Sequence, residues 1–360
     1  MAILKGPPRE IIGVILLNLG GPDSLQAVRP FLYNLFSDRQ IIRLGPPFLQ
    51  KPLAKLISTI RSKKTEKLYR LIGGKSPIKE ITEAQAKELE EALNKQSAVK
   101  IQNSTPPHPS LARGGNKRGV ALFKVYIGMR YWHPFIEDVV SKIHKDKIKK
   151  LVALSLYPQY SVATSGSSFS KFKAAATNYQ IETVCIQSWH DHPSYIDALV
   201  DVIKLGIEKF GKSDIPDNIH VLFSAHSLPK KIIDQGDPYV DQTIGTIREI
   251  TKRISLIWHL SYQSKSGPVE WLGPSTDNKL EELSREGVKN VLVVPISFVS
   301  DHIETLYEID ILYKDLAGRL GIRLERTDSL NTHPKFIEAL KDIVAKSLSE
   351  IEEDKSISLP

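Results

Sequence analysis

The chain has 360 residues, 41% hydrophobic and 25% charged, the composition of an ordinary globular protein long enough for two domains. A net charge of +8 and a pI near 9.2 favour anionic partners, but the lysines are scattered and no zinc-finger or RNA-binding signature accompanies them, which argues against nucleic acid. The single cysteine, Cys185, excludes an intrachain disulfide and any cysteine-ligated iron–sulfur cluster built from this chain alone.

The N-terminal MAILKGPPRE has no signal-peptide core, and no apolar run reaches the roughly 18 residues of a transmembrane helix. A cytoplasmic protein is expected, attached at most to a membrane surface. Ile11–Leu17 is a continuous apolar run ending in Asn18-Leu-Gly-Gly-Pro22, the pattern of a buried parallel strand entering a glycine-rich turn. No Gly-Lys-Ser/Thr follows, so the turn is not a phosphate loop. From Val28 to about Ile60 the chain reads as helical and partly apolar, interrupted at Leu44-Gly45-Pro46-Pro47-Phe48. This segment packs on a sheet or forms an apolar lip. An amphipathic helix is predicted over Ile81–Leu93, and Asn94–Gly119, polar and rich in proline and glycine, reads as a mobile surface loop.

Strands are then predicted at Lys124–Tyr131, Leu151–Leu156, Ile181–Ile186, His220–Phe223, Val269–Leu272 and Val291–Phe298, with helical stretches between them. Alternating strands and helices imply βαβ units and a parallel sheet. The chain also repeats itself. Ser188–Leu199 and Ser329–Leu340 share Ser, then His-Pro, then Ile-acid-Ala-Leu; Ile148–Leu154 aligns with Val288–Val294 upstream. Two copies of one α/β unit account for this, giving two similar Rossmann-like domains with a cleft between their strand ends. The expected division is residues 1–187, 188–328, and a C-terminal helix at 329–360 packing back on the first domain. His192 and His333 hold equivalent places before a helix, where His-Pro serves the helix terminus.

Three constellations could carry chemistry. Val221–Tyr239 (VLFSAHSLPKKIIDQGDPY) is a strand delivering His226 at its carboxyl end, where open α/β sheets place their ligands. In Ser300–Glu308 (SDHIETLYE), helical spacing predicts Asp301, Glu304 and Glu308 on one face, beside His302. Imidazole with carboxylates suits ferrous iron, zinc or manganese, or a proton relay. Gly128-Met-Arg-Tyr-Trp-His-Pro134 ends another strand and offers the Arg130 fork and the Tyr131 ring to a large, flat ligand with anionic edges.

Together these stretches, with Asn18–Pro22 and Tyr157-Pro-Gln-Tyr-Ser161, resemble the ferrochelatase family from about Ile11 to about Leu348. The resemblance implies a chelatase-like fold of two domains and insertion of ferrous iron into protoporphyrin IX, with release of two protons. Iron is then a substrate, with no tightly bound cofactor. It also implies His226 and Glu304 as the metal-insertion pair, Asp301 and Glu308 as an acidic track along a helix with a π-turn, and porphyrin contacts at Arg61, Tyr69, Ser76, Arg130 and Tyr131. The apolar segment at 46–56 matches the family's lip, which covers the macrocycle and touches membrane. This chain departs from relatives at Leu19, where some place a methionine, in lacking cysteines for a [2Fe–2S] cluster, and in its long loop at 94–119. Two other readings stay open: a chelatase for coproporphyrin or another metal, and a non-catalytic tetrapyrrole or metal carrier.

Overall fold

The computed structural model describes residues 10–104, 122–211, 218–265 and 269–357, excepting the side chains of 97–104 and 350–357. The order is β1 (Ile11–Asn18), α1 (Val28–Ser37), α2 (Gln50–Leu71), α3 (Ile78–Ser104), β2 (Leu122–Met129), α4 (Ile136–Lys145), β3 (Lys150–Ser155), α5 (Ser167–Ala176), β4 (Glu182–Ile186) and α6 (Pro193–Glu208). It continues with β5 (Ile219–His226), α7 (Lys230–Asp234), α8 (Tyr239–Thr251), β6 (Ile257–Gln263), α9 (Thr276–Arg285), β7 (Asn290–Pro295), α10 (Lys314–Arg319), β8 (Arg323–Arg326) and α11 (Pro334–Ile357). Two π-helical stretches, Val162–Gly166 and Glu304–Tyr313, follow β3 and β7.

Each half builds a four-stranded, all-parallel sheet, in the order β2-β1-β3-β4 and β6-β5-β7-β8. The two orders are the same, so the repeat read from the sequence is a repeat of architecture. Central strands are apolar throughout because helices cover both their faces; from Ile12 to Asn18 every residue of β1 is buried. One core is shared. Val14, Leu16, Val152 and Leu154 from the first sheet join Val221, Phe223, Leu292 and Val294 from the second, with Ile196, Leu199, Phe336 and Leu340 of α6 and α11. Two outer cores lie beyond the sheets, one against α4 and α5 and one against α9 and α10.

The helices α6 and α11 pack on each other, and α11 also packs on α3. His192 opens α6 within the field of Asp342 on α11, while His333 opens α11 with its Nε2 3.8 Å from Asp201 on α6. This reciprocity is what an internal two-fold relation produces, and it gives both His-Pro histidines a structural task.

Two expectations are corrected. The strand beside β5 is Ile257–Gln263, not Val269–Leu272, which makes only an isolated bridge between Pro229 and Trp271. As an edge strand β6 leaves Ile257 and Trp258 exposed, and His259, Ser261 and Gln263 break up its apolar pattern. The predicted loop at 94–119 begins as helix: α3 runs on to Ser104, and Asn94, inside it, donates from Nδ2 to the Phe123 carbonyl and accepts the Phe123 N–H. The remainder of that segment, from 105, lies outside the described residues.

Far from these strand ends, His220 Nδ1 and His259 Nε2 lie 2.9 Å apart with ring planes within 5°. One ring donates to the other, so the pair accommodates one N–H between them. Burial holds both below the ordinary imidazole range, and for His259 the His220 charge adds to this. A depressed folded value means that the stabilisation is present above about pH 6.5 and is lost as pH falls through that range. We expect the unfolding free energy in denaturant to fall from pH 7 to 5.5, and His259→Gln, whose amide keeps one hydrogen bond, to flatten that fall. Equal slopes in both proteins would exclude the pair as its source.

Candidate active site

The strand β5 ends on His226, and the motif that follows turns back to brace it. The His226 N–H donates to Ser297 Oγ at 3.0 Å, and its carbonyl accepts the Tyr239 hydroxyl at 2.9 Å. Ser297 and Tyr239 are themselves 2.5 Å apart, closing a small circuit around the backbone of His226. Leu228-Pro229 stops the strand, and Gly236-Asp237-Pro238 returns the chain so that Tyr239 can open α8.

Glu304 arrives from the other side, at the first turn of the π-helical stretch after β7. Its Oε2 is 2.9 Å from His226 Nδ1. The Glu304 side chain is 12% exposed and that of His226 27%, so water screens this contact little. Beside them His302 is buried; its Nδ1 lies 3.0 Å from the Ser300 carbonyl, and its Nε2 has no hydrogen-bond partner and faces Glu304 Oε2 at 3.9 Å. Gln263, opposite His226 in the β5–β6 register, donates to the Glu304 carbonyl at 3.2 Å. Ser224 donates into the Gln263 side-chain oxygen at 2.6 Å and sets which way that amide faces.

The electrostatics follow from this packing. Burial alone would discourage protonation of His226, but the charge and hydrogen bond of Glu304, with Glu308 beyond, raise it above the ordinary imidazole value. Burial would raise Glu304, yet His226 and then His302 hold its carboxyl far below the usual range. Glu308, one turn along, goes the other way: burial first and the Glu304 charge second push it up to about 7, although Ser264 donates to its Oε2 at 2.6 Å. Glu308 opens on a groove of about 310 Å³ that Ser264, Asp277 and Tyr313 also line.

Asp301 does not share this face. It precedes the helix and is held by Arg326 at 3.0 Å, Ser329 at 2.8 Å, Asn331 at 2.9 Å and Thr305 at 3.0 Å. Helical spacing fails here because regular helix begins only after Asp301, so the acidic track consists of Glu304 and Glu308.

The residues expected around a macrocycle are more dispersed. Tyr69 on α2 is buried in a cluster with Phe31, Phe36 and Tyr131, against which Ile303 packs, and the Glu304 charge reaches it. Arg61, exposed on the same helix, has its guanidinium 5.4 Å from the centre of the Phe36 ring. Ser76 is 3% exposed and pressed so closely on Gly21 that a Cβ there would stand 2.6 Å away; it fastens the Gly20-Gly21-Pro22 turn to the start of α3. Arg130 and Tyr131 turn inward on Asp38, a residue no sequence pattern singled out. Arg130 Nη2 at 2.6 Å, the Tyr131 hydroxyl at 2.7 Å and Ser167 Oγ at 2.7 Å all donate to Asp38 Oδ2. Tyr131 is 1% exposed, whereas the Arg130 side chain keeps 17%.

The Tyr157–Ser161 motif binds the other half of the chain. Gln159 donates to Thr246 at 3.0 Å, the Tyr160 N–H to Gln242 at 2.7 Å, and Ser161 Oγ and the Val162 N–H to Asp237 at 3.0 and 2.7 Å. Tyr157 and Thr164 then line a narrow cavity with His226 and Phe298. The seam between halves thus brings the first π-turn against His226.

Residues 11–348 match the family model for ferrochelatase. The ferrochelatase of Gloeothece citriformis is 48% identical over 94% of this chain and 83% of its own length. That of Synechocystis sp. is 47% identical at the same coverages, and that of Geotalea uraniireducens 44% identical over 94% of this chain and 99% of its own.

Glu308 gives a stability test of the electrostatics. Its folded value lies above the unfolded one, so its contribution is present at acidic pH and is lost as pH rises from about 4.5 through about 7. Glu308→Gln should therefore be more stable than the unmodified protein at pH 8, by about 1–3 kcal/mol, and show no gain at pH 4.5. A gain independent of pH in urea unfolding would refute this assignment.

Proposed function

The chain belongs to the ferrochelatase family and is an enzyme that inserts iron into a porphyrin in haem synthesis; we propose that it acts on ferrous iron and protoporphyrin IX, with His226 and Glu304 as the groups that carry the insertion. The observation behind the assignment is the 2.9 Å contact between a buried carboxylate and an imidazole at the carboxyl ends of the second sheet. A carrier would need a pocket but has no use for a paired base and acid inside it.

Insertion exchanges one divalent ion for two pyrrole protons, so the site must take protons as well as admit metal. With Nδ1–H donating to Glu304, neutral His226 keeps its Nε2 lone pair for the pocket, and Glu304 stabilises the imidazolium that forms when that nitrogen takes a proton. A raised imidazole value makes His226 a stronger base than free imidazole. Glu308, near 7, is a second group able to exchange a proton at neutral pH and stands beside an open groove. Among the described residues no three His, Cys, Asp or Glu side chains form a ready metal cage. His226 and Glu304 supply the ion with two donors of different kinds, an imidazole nitrogen and a carboxylate oxygen. Holding the macrocycle bent would expose its nitrogen lone pairs, a strain of roughly 1–5 kcal/mol. Arg130 and Arg61 are the cations we assign to its carboxylates, with Tyr69, Ser76 and Tyr131 supporting the pocket wall from behind.

The lip supports a peripheral membrane contact. Phe48, just before α2, is 76% exposed, Leu56 and Ile60 on α2 are 56% and 69% exposed, and Lys51, Lys55, Lys63, Lys64 and Lys67 lie along that helix. Apolar side chains among lysines suit the headgroup region of an anionic bilayer, and no helix among the described residues is long and apolar enough to cross a membrane. We place the enzyme in the cytoplasm, against the inner face of the membrane.

Purified protein given ferrous iron and protoporphyrin anaerobically should convert the free-base absorption bands to those of haem. His226→Ala should lower turnover at least about 10²-fold while porphyrin binding, followed by fluorescence, stays measurable; near-normal turnover would remove His226 from its role. For the lip, Phe48→Ser with Leu56→Ser and Ile60→Ser should abolish co-sedimentation with vesicles containing anionic lipid. Unchanged co-sedimentation would place the contact elsewhere.

A further inference from the structure

The π-helical stretch that carries Glu304 raises a question of support. A π-helix closes wider turns than an α-helix, and it seldom persists beyond a single turn. Here it spans Glu304–Tyr313. Something outside the stretch must hold it, and Arg326, the last residue of β8, is placed to do so.

All three guanidinium nitrogens of Arg326 are committed. Nε and Nη2 donate to the two carboxylate oxygens of Asp310, each at 2.8 Å, a side-on fork onto the π-helix itself. Nη1 donates to Asp301 at 3.0 Å, and also lies 3.1 Å from the Thr327 carbonyl and 3.3 Å from Ser329 Oγ. Asp301 and Asp310 stand on either side of Glu304 in the chain, so one planar group ties the entry of the stretch to its second turn. The strand register makes this possible: Arg326 pairs with Val293, near the end of β7, and therefore sits beneath the loop that leads to Asp301. The Arg326 side chain is 11% exposed, and burying a cation there is tolerable only because two carboxylates and two further oxygens satisfy it. Asp310, by contrast, is 36% exposed and does not line the narrow cavity at His226. The cluster's task is therefore mechanical.

We propose that Arg326 is a positioning residue for metal insertion, which keeps the π-helical stretch wound and Glu304 aimed at His226 by gripping Asp301 and Asp310 together. The proposal rests on the reading of His226 and Glu304 as the insertion pair. Lysine in its place would keep the charge but lose the fork.

The test uses the full chain and measures steady-state kinetics with iron and porphyrin varied separately, porphyrin binding by fluorescence, and thermal unfolding. For Arg326→Lys we expect porphyrin affinity within about twofold of the unmodified protein, and kcat/KM for iron lower by about tenfold or more. Asp310→Asn, on the exposed side of the clamp, should shift the same parameter in the same direction by less, and it decides the matter if Arg326→Lys does not fold. A role confined to stability would lower the active fraction and leave both KM values unmoved; that result, or unchanged kinetics, overturns the proposal. His226→Ala, run alongside, separates the two readings. Turnover surviving in His226→Ala removes the insertion pair, whereas loss there with unmoved iron kinetics in the Arg326 and Asp310 variants removes only the clamp.

Discussion

An imidazole and a carboxylate buried together stabilise each other only while both are held in place, because each alone would sooner give up its charge than its water. The contact between His226 and Glu304 is of that kind, and much of the surrounding structure serves to keep it. Ser297 and Tyr239 fix the backbone of one partner, Gln263 and the Ser224 hydroxyl fix the other, and Arg326 braces the turn on which Glu304 rides. The cost of crowding charge appears one turn further on. Burial first, and then the charge of the ionised Glu304, drive the Glu308 carboxyl to about 7, and two like groups on one helix face thereby acquire different protonation.

The internal repeat shows how little of a fold determines its chemistry. Aligning Val14 with Val221 and Leu16 with Phe223, the positions of each central strand that face the shared core, puts Leu19 opposite His226. Aligning Val152 with Leu292 and Leu154 with Val294 puts Thr164, at the first π-turn, opposite Glu304. The first half thus repeats the mount and omits the imidazole and the carboxylate. What it carries instead is a grip on an anion. Arg130, one residue past β2, is equivalent by register to Gln263 at the end of β6; Arg130 holds the Asp38 carboxylate, whereas Gln263 donates to the Glu304 main-chain carbonyl. Two copies of one scaffold thus differ at this edge, one half presenting a polar wall and the other the paired imidazole and carboxylate.

How much of this was legible in the sequence depended on what each residue type had to signal. Buried parallel strands announce themselves because both faces are apolar, and β1, β3, β5 and β7 were all legible. The edge strand β6 was not, since His259, Ser261 and Gln263 interrupt it, and with β6 went the only route to Gln263 as a neighbour of Glu304. His226 was legible from its place at a strand end and Glu304 from the acidic run around it. Asp301 misled for the same reason: spacing presumes that a helix has started, and here it starts only after that residue. Asp38 carried no local signal, because the three donors that converge on it lie 92 to 129 residues away along the chain.

The motifs that made the sequence recognisable are largely not those that would touch a substrate. Gly236-Asp237-Pro238 contributes Asp237 to the Ser161 turn, and Gln159 and Tyr160 fasten onto Thr246 and Gln242 of α8. Ser76 locks a glycine turn, and Tyr131 spends its hydroxyl on Asp38. A cleft between two similar domains needs this, because His226 and Glu304 belong wholly to the second half while the wall facing His226, Tyr157 and Thr164, belongs to the first. A shift of about 1 Å between halves would cost such a site heavily. Hydrogen bonds from the main-chain N–H groups of Tyr160 and Val162 to side chains of the other half set that distance more tightly than apolar packing, whose contacts tolerate sliding. The polar seam is therefore part of what shapes the candidate site, although few of its atoms face the cavity.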